Sequence, residues 1–123
     1  WVIILVPSTP DTDKMIGAAE LAAMKNSAAI LNFARGAVID QEALFEALKA
    51  RRIAGAWLDV TDPEPLPSDH PLWSLDNCHI SMHLSGRSQT LLFKRAAERF
   101  LANLERFGRG EELTHLVDLT LGY

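Results

Sequence analysis

The chain has 123 residues, of which 48% are hydrophobic and 23% are charged, a balance typical of a folded globular domain rather than a disordered chain. Its formal net charge of −4 argues against a nucleic-acid partner, because binding to a phosphate backbone requires a basic surface. No apolar run is long enough for a membrane helix, no stretch resembles a signal peptide, and the single cysteine, Cys78, cannot form an internal disulfide. The composition therefore predicts a protein of the reducing cytoplasm, with neither a nucleic acid nor a membrane as partner.

Short apolar runs alternate with amphipathic segments along the chain. Strands are predicted at residues 2–6, 28–32, 54–60 and 79–82. This alternation is typical of an α/β fold in which crossover helices join the strands of a parallel sheet. The first run begins at Trp1 without an initiator methionine or a polar lead-in, so we expect the natural protein to begin earlier.

Two crossover helices are predicted, at residues 18–25 and 41–51. Asp40 precedes the second helix and is expected to be its N-cap, because a carboxylate there can accept the free N–H groups of the first turn. The apolar residues expected to face the core are Leu21 and Met24 in the first helix, and Leu44, Phe45 and Leu48 in the second.

The last part of the chain is predicted to contain a proline-rich loop, a long helix and a tail. Residues 62–67 are too rich in proline for a helix or a central strand, so they are expected to form an irregular loop. The long helix is predicted at residues 88–107, and its apolar stripe consists of Leu92, Ala96, Phe100, Leu104 and Phe107. We expect residues 109–123 to form a C-terminal tail that packs on another domain.

Four side chains with useful chemistry follow the predicted strands. Arg35 follows the second strand, Asp59 and Glu64 follow the third, and His83 follows the fourth. The carboxyl ends of parallel strands share one edge, where open α/β sheets bind ligands. An arginine can bind a carboxylate through two hydrogen bonds, and a histidine beside a carboxylate can exchange a proton with a reacting oxygen. This combination suits the reduction of a 2-oxo acid.

Several motifs in register resemble those of the D-isomer-specific 2-hydroxyacid dehydrogenases, and in particular the glyoxylate/hydroxypyruvate reductase-like members. The motifs are Asn32-Phe33-Ala34-Arg35-Gly36, Leu58-Asp59-Val60, Glu64-Pro65-Leu66-Pro67, and His83 with Gly86. The resemblance implies that residues 1–108 form the C-terminal half of an NAD(P)-binding domain, the second half of a Rossmann-type doubly wound parallel sheet, with NAD or NADP as cofactor. We also expect a homodimer. One departure is that Ser81-Met82 stands where the family usually has Thr-Pro before its histidine.

The resemblance also implies roles for individual residues. Arg35 would bind the substrate carboxylate, His83 would be the acid/base, and Glu64 would be the partner of the histidine. The residues implied to contact the cofactor are Val6, Pro7, Thr12, Phe33, Ala34, Arg35, Asp59, His83 and Gly86. The chain contains no Gly-x-Gly-x-x-Gly loop, so its sequence does not distinguish NAD from NADP.

Three alternatives compete with this interpretation. A serine hydrolase could use Ser81 or Ser85 with His83 and Asp59, but no Gly-x-Ser-x-Gly elbow supports it. The histidines lack the spacing of metal ligands, so no metal site is predicted. The strongest competitor is a non-catalytic module that binds a dinucleotide and serves in interaction or regulation. Taken singly, Arg35 and Glu64 would be ordinary surface residues, and only their combination with His83 favours an enzyme.

Overall fold

Four short strands form one parallel sheet, as the apolar runs predict. In the computed structural model, which describes residues 1–88 and 91–121, they are β1 (Val2–Ile4), β2 (Ala29–Asn32), β3 (Gly55–Leu58) and β4 (Cys78–Ile80). The strands pair in the order β1-β2-β3-β4, and every pairing is parallel. β2 ends at the predicted residue, and the other three strands each end two residues earlier than predicted, where the chain turns into the following loop. The predicted α/β architecture is confirmed.

Two short helices return the chain to the start of the next strand. They are α1 (Ala18–Ala23) and α2 (Gln41–Lys49), each ending two residues earlier than predicted. Asp40 caps α2 as expected, because its carboxylate accepts the N–H of Ala43 at 3.1 Å. In α1 the N–H of Met24 bonds back to the carbonyl of Leu21, which closes the helix there.

The hydrophobic core lies on one face of the sheet. Its fully buried side chains are Leu21, Ile30, Leu44, Leu48, Ile53, Leu58, Leu72 and Val38. Burying each of the larger ones contributes about 1.5–3 kcal/mol to stability. The opposite face carries a row of residues in register, Ile3, Leu31, Trp57 and His79. Ile3 and Trp57 of this row are 57% and 48% exposed, so the packing against α1 and α2 leaves that face uncovered.

The chain folds into two compact units, Trp1–Ser85 and Gly86–Tyr123. The second unit consists of α3 (Leu91–Gly108) and a tail that bonds back to it, with Asn103 accepting the N–H of Thr114 at 3.0 Å. The predicted start of this helix at residues 88–90 lies partly outside the described residues. No residue of α3 is buried, so its predicted apolar stripe is exposed. The predicted division after residue 108 stays a prediction.

One glycine sets the distance between the loops that follow β2 and β3. A Cβ atom on Gly36 would lie 2.1 Å from the carbonyl atoms of Thr61 and 2.6 Å from the nitrogen of Asp62. Only a residue without a side chain permits this approach of two backbones. Gln41 joins the same loops, because its side-chain amide donates to the carbonyl of Asp62 at 2.8 Å and accepts the N–H of Asp62 at 3.1 Å.

We expect Gly36→Ala to destabilise the protein by about 3 kcal/mol, because the methyl group forces two backbone segments apart. Denaturant unfolding followed by circular dichroism measures this change. Gly108→Ala is the matched control, since no atom lies within 4 Å of the added Cβ. Equal stabilities of the two variants would contradict the close approach.

Cys78 is the first residue of β4, and burial raises the pKa of its thiol to about 11. The thiol is therefore protonated at pH 8, and we expect it to react with a disulfide reagent at least about tenfold more slowly than the thiol of the unfolded chain. The folded state holds this proton more tightly than the unfolded state does, so the protonated thiol contributes to the free energy of unfolding. This contribution is complete below the pKa of the unfolded thiol and is lost as the pH rises toward 11. Cys78 is the only cysteine in the sequence, so the chromophore that the disulfide reagent releases reports on this thiol alone. Rapid stoichiometric labelling of the folded protein at pH 8 would contradict the burial.

Candidate active site

The predicted site residues lie in the segments that follow the strands at the carboxyl edge of the sheet. Arg35 lies three residues beyond β2, Asp59 directly follows β3, and His83 lies three residues beyond β4. Because all four strands are parallel, these segments emerge side by side. The arrangement therefore brings the candidate residues to one edge, as the sequence predicts.

His83 and Glu64 form an ion pair when the histidine is protonated. The ring nitrogen Nδ1 of His83 lies 2.8 Å from Oε1 of Glu64. The two side chains are 43% and 40% exposed, so a ligand can reach them. With Nδ1 bound to the carboxylate, Nε2 is the nitrogen that can exchange a proton with a ligand. This geometry suits a general acid/base whose orientation is set by a carboxylate.

The loop that carries His83 closes around the carboxylate of Asp59. Oδ1 of Asp59 accepts the hydroxyl of Ser81 at 2.5 Å and the N–H of Leu84 at 2.9 Å, and Oδ2 accepts the N–H of Ser85 at 2.9 Å. The carbonyl of Asp59 accepts the N–H of His83 at 2.8 Å. Asp59 is 2% exposed, so these contacts replace the water that a carboxylate would otherwise bind.

These hydrogen bonds also decide the charge of Asp59. Burial acts to raise its pKa, but the hydrogen bonds from Ser81, Ser85 and Leu84 outweigh burial and hold the pKa of Asp59 well below its usual range. The carboxylate is therefore anionic at neutral pH, and donors of the His83 loop occupy both of its oxygens.

His83 itself has a left-handed backbone conformation, with φ of 53°. For a residue with a Cβ this conformation costs about 1–2 kcal/mol. A half-exposed ion pair contributes no more than about 1 kcal/mol, whereas hydrogen bonds to a charged group contribute about 1.5–3 kcal/mol each. The contacts with Asp59, rather than the pair with Glu64, therefore hold the loop in this shape.

Arg35 is held by a buried amide at the end of β2. The side chain of Asn32, which is 1% exposed, donates to the carbonyl of Arg35 at 2.9 Å and accepts the N–H of Ala34 at 3.0 Å. The guanidinium of Arg35 is exposed and donates to the carbonyl of Ala34 at 2.7 Å. Among the described residues no hydrogen bond or ion pair joins Arg35 to His83 or Glu64, so its charge remains available for an anionic ligand.

The other residues implied to contact the cofactor shape the loops at this edge. Val6 packs against the core, and the hydroxyl of Thr12 donates to the carbonyl of Pro7 at 2.8 Å, which folds residues 7–12 into a tight loop. Phe33 extends the edge of the sheet by donating its N–H to the carbonyl of Ile4 at 3.2 Å. Gly86 belongs to the second unit. The assignment of these residues to cofactor binding stays a prediction.

A cleft of 430 Å³ adjoins the ion pair. Its lining includes Asp59, Glu64, Leu66, Trp73, Ser81 and Met82. Apart from Ser81 in the hydrolase alternative, the sequence motifs do not predict Trp73, Ser81 or Asn32 as residues of the site. A polar residue at the end of an otherwise apolar strand is the signal that could have identified Asn32, while Trp73 and Ser81 become recognisable only from their neighbours in space.

The geometry argues against the hydrolase alternative. A Ser-His-Asp triad requires the carboxylate to orient the histidine ring. Here Asp59 binds the hydroxyl of Ser81 instead, and the ring of His83 pairs with Glu64.

Within residues 1–88 and 91–121, no group of three or more His, Cys, Asp or Glu side chains could hold a metal ion. In the same part of the chain, no helix has the length and apolarity needed to cross a membrane.

Comparison with known proteins identifies the family. Residues 1–85 match the D-isomer specific 2-hydroxyacid dehydrogenase, NAD binding domain. The glyoxylate reductase of Korarchaeum cryptofilum is 43% identical over 118 residues, which are 96% of this chain and 35% of that protein. The glyoxylate reductase/hydroxypyruvate reductase of Mus musculus is 39% identical over 116 residues, which are 92% of this chain and 34% of that protein.

Solved structures agree with this match. A D-isomer specific 2-hydroxyacid dehydrogenase from Xanthobacter autotrophicus Py2, in complex with NADPH and MES, is 38% identical with a TM-score of 0.90, over 99% of this chain and 49% of that one. The NADPH-dependent glyoxylate/hydroxypyruvate reductase of Sinorhizobium meliloti, in complex with NADP and sulfate, is 28% identical with a TM-score of 0.89, over 98% of this chain and 39% of that one. The chain thus spans half or less of the length of each of these relatives. Since the family match covers most of its residues, this chain belongs to the D-isomer specific 2-hydroxyacid dehydrogenase family and carries part of the NAD binding domain.

Proposed function

We propose that the full-length protein carrying this chain reduces a small 2-oxo acid to the D-2-hydroxy acid with NADH or NADPH, and catalyses the reverse oxidation. The observation that carries this proposal is the pairing of His83 with Glu64 at 2.8 Å, at the sheet edge where Arg35 also emerges. The family match and the complexes of the structural relatives with NADPH or NADP support the choice of cofactor.

Each of the three residues has a separate task in this reaction. The guanidinium of Arg35 binds the carboxylate of the substrate, because its planar donors match the two oxygens. His83 donates a proton from Nε2 to the oxygen that gains negative charge during reduction, and accepts it back during oxidation. Glu64 accepts a hydrogen bond from Nδ1 and fixes the plane of the ring. A bound nicotinamide cofactor supplies or accepts the hydride.

The residues present fit the nicotinamide end of such a cofactor. Most of the candidate cofactor contacts lie in the segments that follow β1, β2 and β3 at the carboxyl edge, where open α/β sheets bind ligands. The glycine-rich turn that binds the pyrophosphate is not part of this chain. We therefore assign the chain to the catalytic side of the cofactor site, with Val6, Pro7, Thr12, Phe33, Ala34, Asp59 and Gly86 as further candidate contacts.

Glyoxylate and hydroxypyruvate are the substrates that we propose, because the relatives from Korarchaeum cryptofilum and Mus musculus are named for them. We further propose a cytoplasmic homodimer. Exposed apolar side chains on α3 and on the outer face of the sheet support association, since such surfaces tend to be buried against a partner. The alternative is a module that binds the dinucleotide without turnover, and it would retain cofactor binding while showing no reduction of any 2-oxo acid.

We expect His83→Gln in the full-length protein to lower kcat for glyoxylate reduction by a factor of about 10² to 10⁴, because the variant lacks the acid/base group. The dissociation constant of NADPH should change by less than about threefold, since cofactor binding does not need the proton transfer. The rate of NADPH oxidation and a fluorescence titration measure the two quantities. His79→Gln is the control, because His79 lies on the sheet face and packs against Trp57. A His83→Gln enzyme with parental turnover would disprove the assignment.

We expect Arg35→Lys to lower kcat/KM for the 2-oxo acid about 10- to 100-fold, because an ammonium cannot form the planar two-point contact and a charged hydrogen bond contributes about 1.5–3 kcal/mol. Affinity for NADPH should change much less. The control is Arg51→Lys, since Arg51 forms an exposed pair with Asp76 near the carboxyl end of α2. Equal losses in the two variants, or a loss confined to NADPH affinity, would show that Arg35 does not bind the substrate carboxylate.

A further inference from the structure

The five residues from Ser81 to Ser85 wrap around one carboxylate. Backbone N–H groups make three of their four hydrogen bonds to Asp59: those of Leu84 and Ser85 donate to the carboxylate, and that of His83 donates to the main-chain carbonyl. The fourth, and the shortest at 2.5 Å, comes from the hydroxyl of Ser81. Ser81 is thus the residue whose side chain can be changed to weaken this arrangement without removing the carboxylate.

Besides these contacts, the loop is held by the N–H of Ser81, which donates to the carbonyl of Leu58 at 2.9 Å, and by the pair of His83 with Glu64. Met82 and Leu84 flank His83 and are 81% and 47% exposed, so apolar packing contributes little to the order of these residues. His83 has φ of 53°, a conformation that an amino acid with a Cβ keeps only when its surroundings impose it. The hydrogen bonds to Asp59 are the surroundings that impose it.

The hydroxyl of Ser81 also fixes the rotation of the carboxylate. Oδ1 lies between the hydroxyl and the N–H of Leu84, and this orientation turns Oδ2 toward the N–H of Ser85. Without the hydroxyl, Oδ1 of Asp59 keeps only the N–H of Leu84 as a donor. Because a buried carboxylate needs donors, the Asp59 side chain then favours other rotamers. The hydrogen bonds from the N–H groups of Leu84 and Ser85 depend on that rotamer. Because His83 lies between Ser81 and Leu84, the position of its imidazole depends on the rotamer as well.

We propose that Ser81 is a positioning residue for His83, acting through the buried carboxylate of Asp59. This inference rests on the proposed function, in which His83 exchanges the proton. Ser81 does not contact the reacting atoms; it keeps the imidazole where the proton transfer requires it. A displacement of about 1 Å from the productive geometry can lower a rate about 100-fold.

The test compares Ser81→Ala with Ser81→Thr in the full-length protein. We expect Ser81→Ala to lower kcat for glyoxylate reduction about 10- to 100-fold. Ser81→Thr retains the hydroxyl and should restore kcat to within about threefold of the parent. Ser74→Ala is the matched control, because the hydroxyl of Ser74 donates to the carbonyl of Pro71 rather than to the site.

Amide hydrogen exchange gives a readout that does not depend on turnover. In Ser81→Ala the amides of His83, Leu84 and Ser85 should exchange at least about tenfold faster, while those of β2 and β3 keep their protection. If Ser81→Ala fails to fold, Ser81→Cys, with its weaker donor, takes its place and should show the same changes to a smaller extent.

The outcomes separate this inference from the proposed function. Faster exchange at residues 83–85 together with parental kcat would overturn the positioning role, and so would unchanged exchange in a folded variant. A low kcat that Ser81→Thr does not restore would also overturn it. Parental kcat in His83→Gln would instead overturn the proposed function, whatever the exchange of the Ser81 variants shows.

Discussion

A carboxylate that is removed from water must be surrounded by hydrogen-bond donors, and the arrangement of the site follows from how Asp59 meets this requirement. Its donors are drawn from the segment beyond β4, which must therefore bend back over the end of β3. That bend places His83 in a left-handed conformation and directs its ring to Glu64. The pairing of His83 with Glu64 is thus a consequence of satisfying a buried charge on the neighbouring strand.

A second constraint acts between the loops that carry Arg35 and Glu64. Gly36 allows the backbone at Thr61 to approach, and Gln41 holds Asp62 through both atoms of its side-chain amide. Neither residue reaches a ligand in the proposed reaction. They set the separation between the loop that carries Arg35 and the loop that carries Glu64, the partner of His83.

The two ends of the sheet differ in how they are stabilised. At the amino edge and in the interior, apolar packing of the sheet against α1 and α2 dominates, and the fully buried residues are almost all aliphatic. Of the four buried polar residues in the described part of the chain, Asn32, Asp59 and Thr61 lie at the carboxyl edge, where polar contacts hold the loops. The fourth, Asn77, lies at the amino edge and donates to the carbonyl of Leu48. Hydrogen bonds are directional whereas apolar burial is not, so the edge that must place reacting groups is the one built from polar contacts.

Much of this protein could be predicted from its sequence, because the relevant interactions are local. Apolar runs and helical periodicity located all four strands and three helices, and Asp40 was recognisable as a cap because its partner lies three residues away. Motifs in register identified Arg35, Glu64, His83 and Asp59 as a group. The sequence could not reveal the role of Ser81, the closeness of Gly36 to Thr61 or the backbone conformation of His83. Each of these features depends on residues about 20 or more positions away in the sequence. The parallel pairing of the strands brings these residues into contact, and it sets distances that no local pattern encodes.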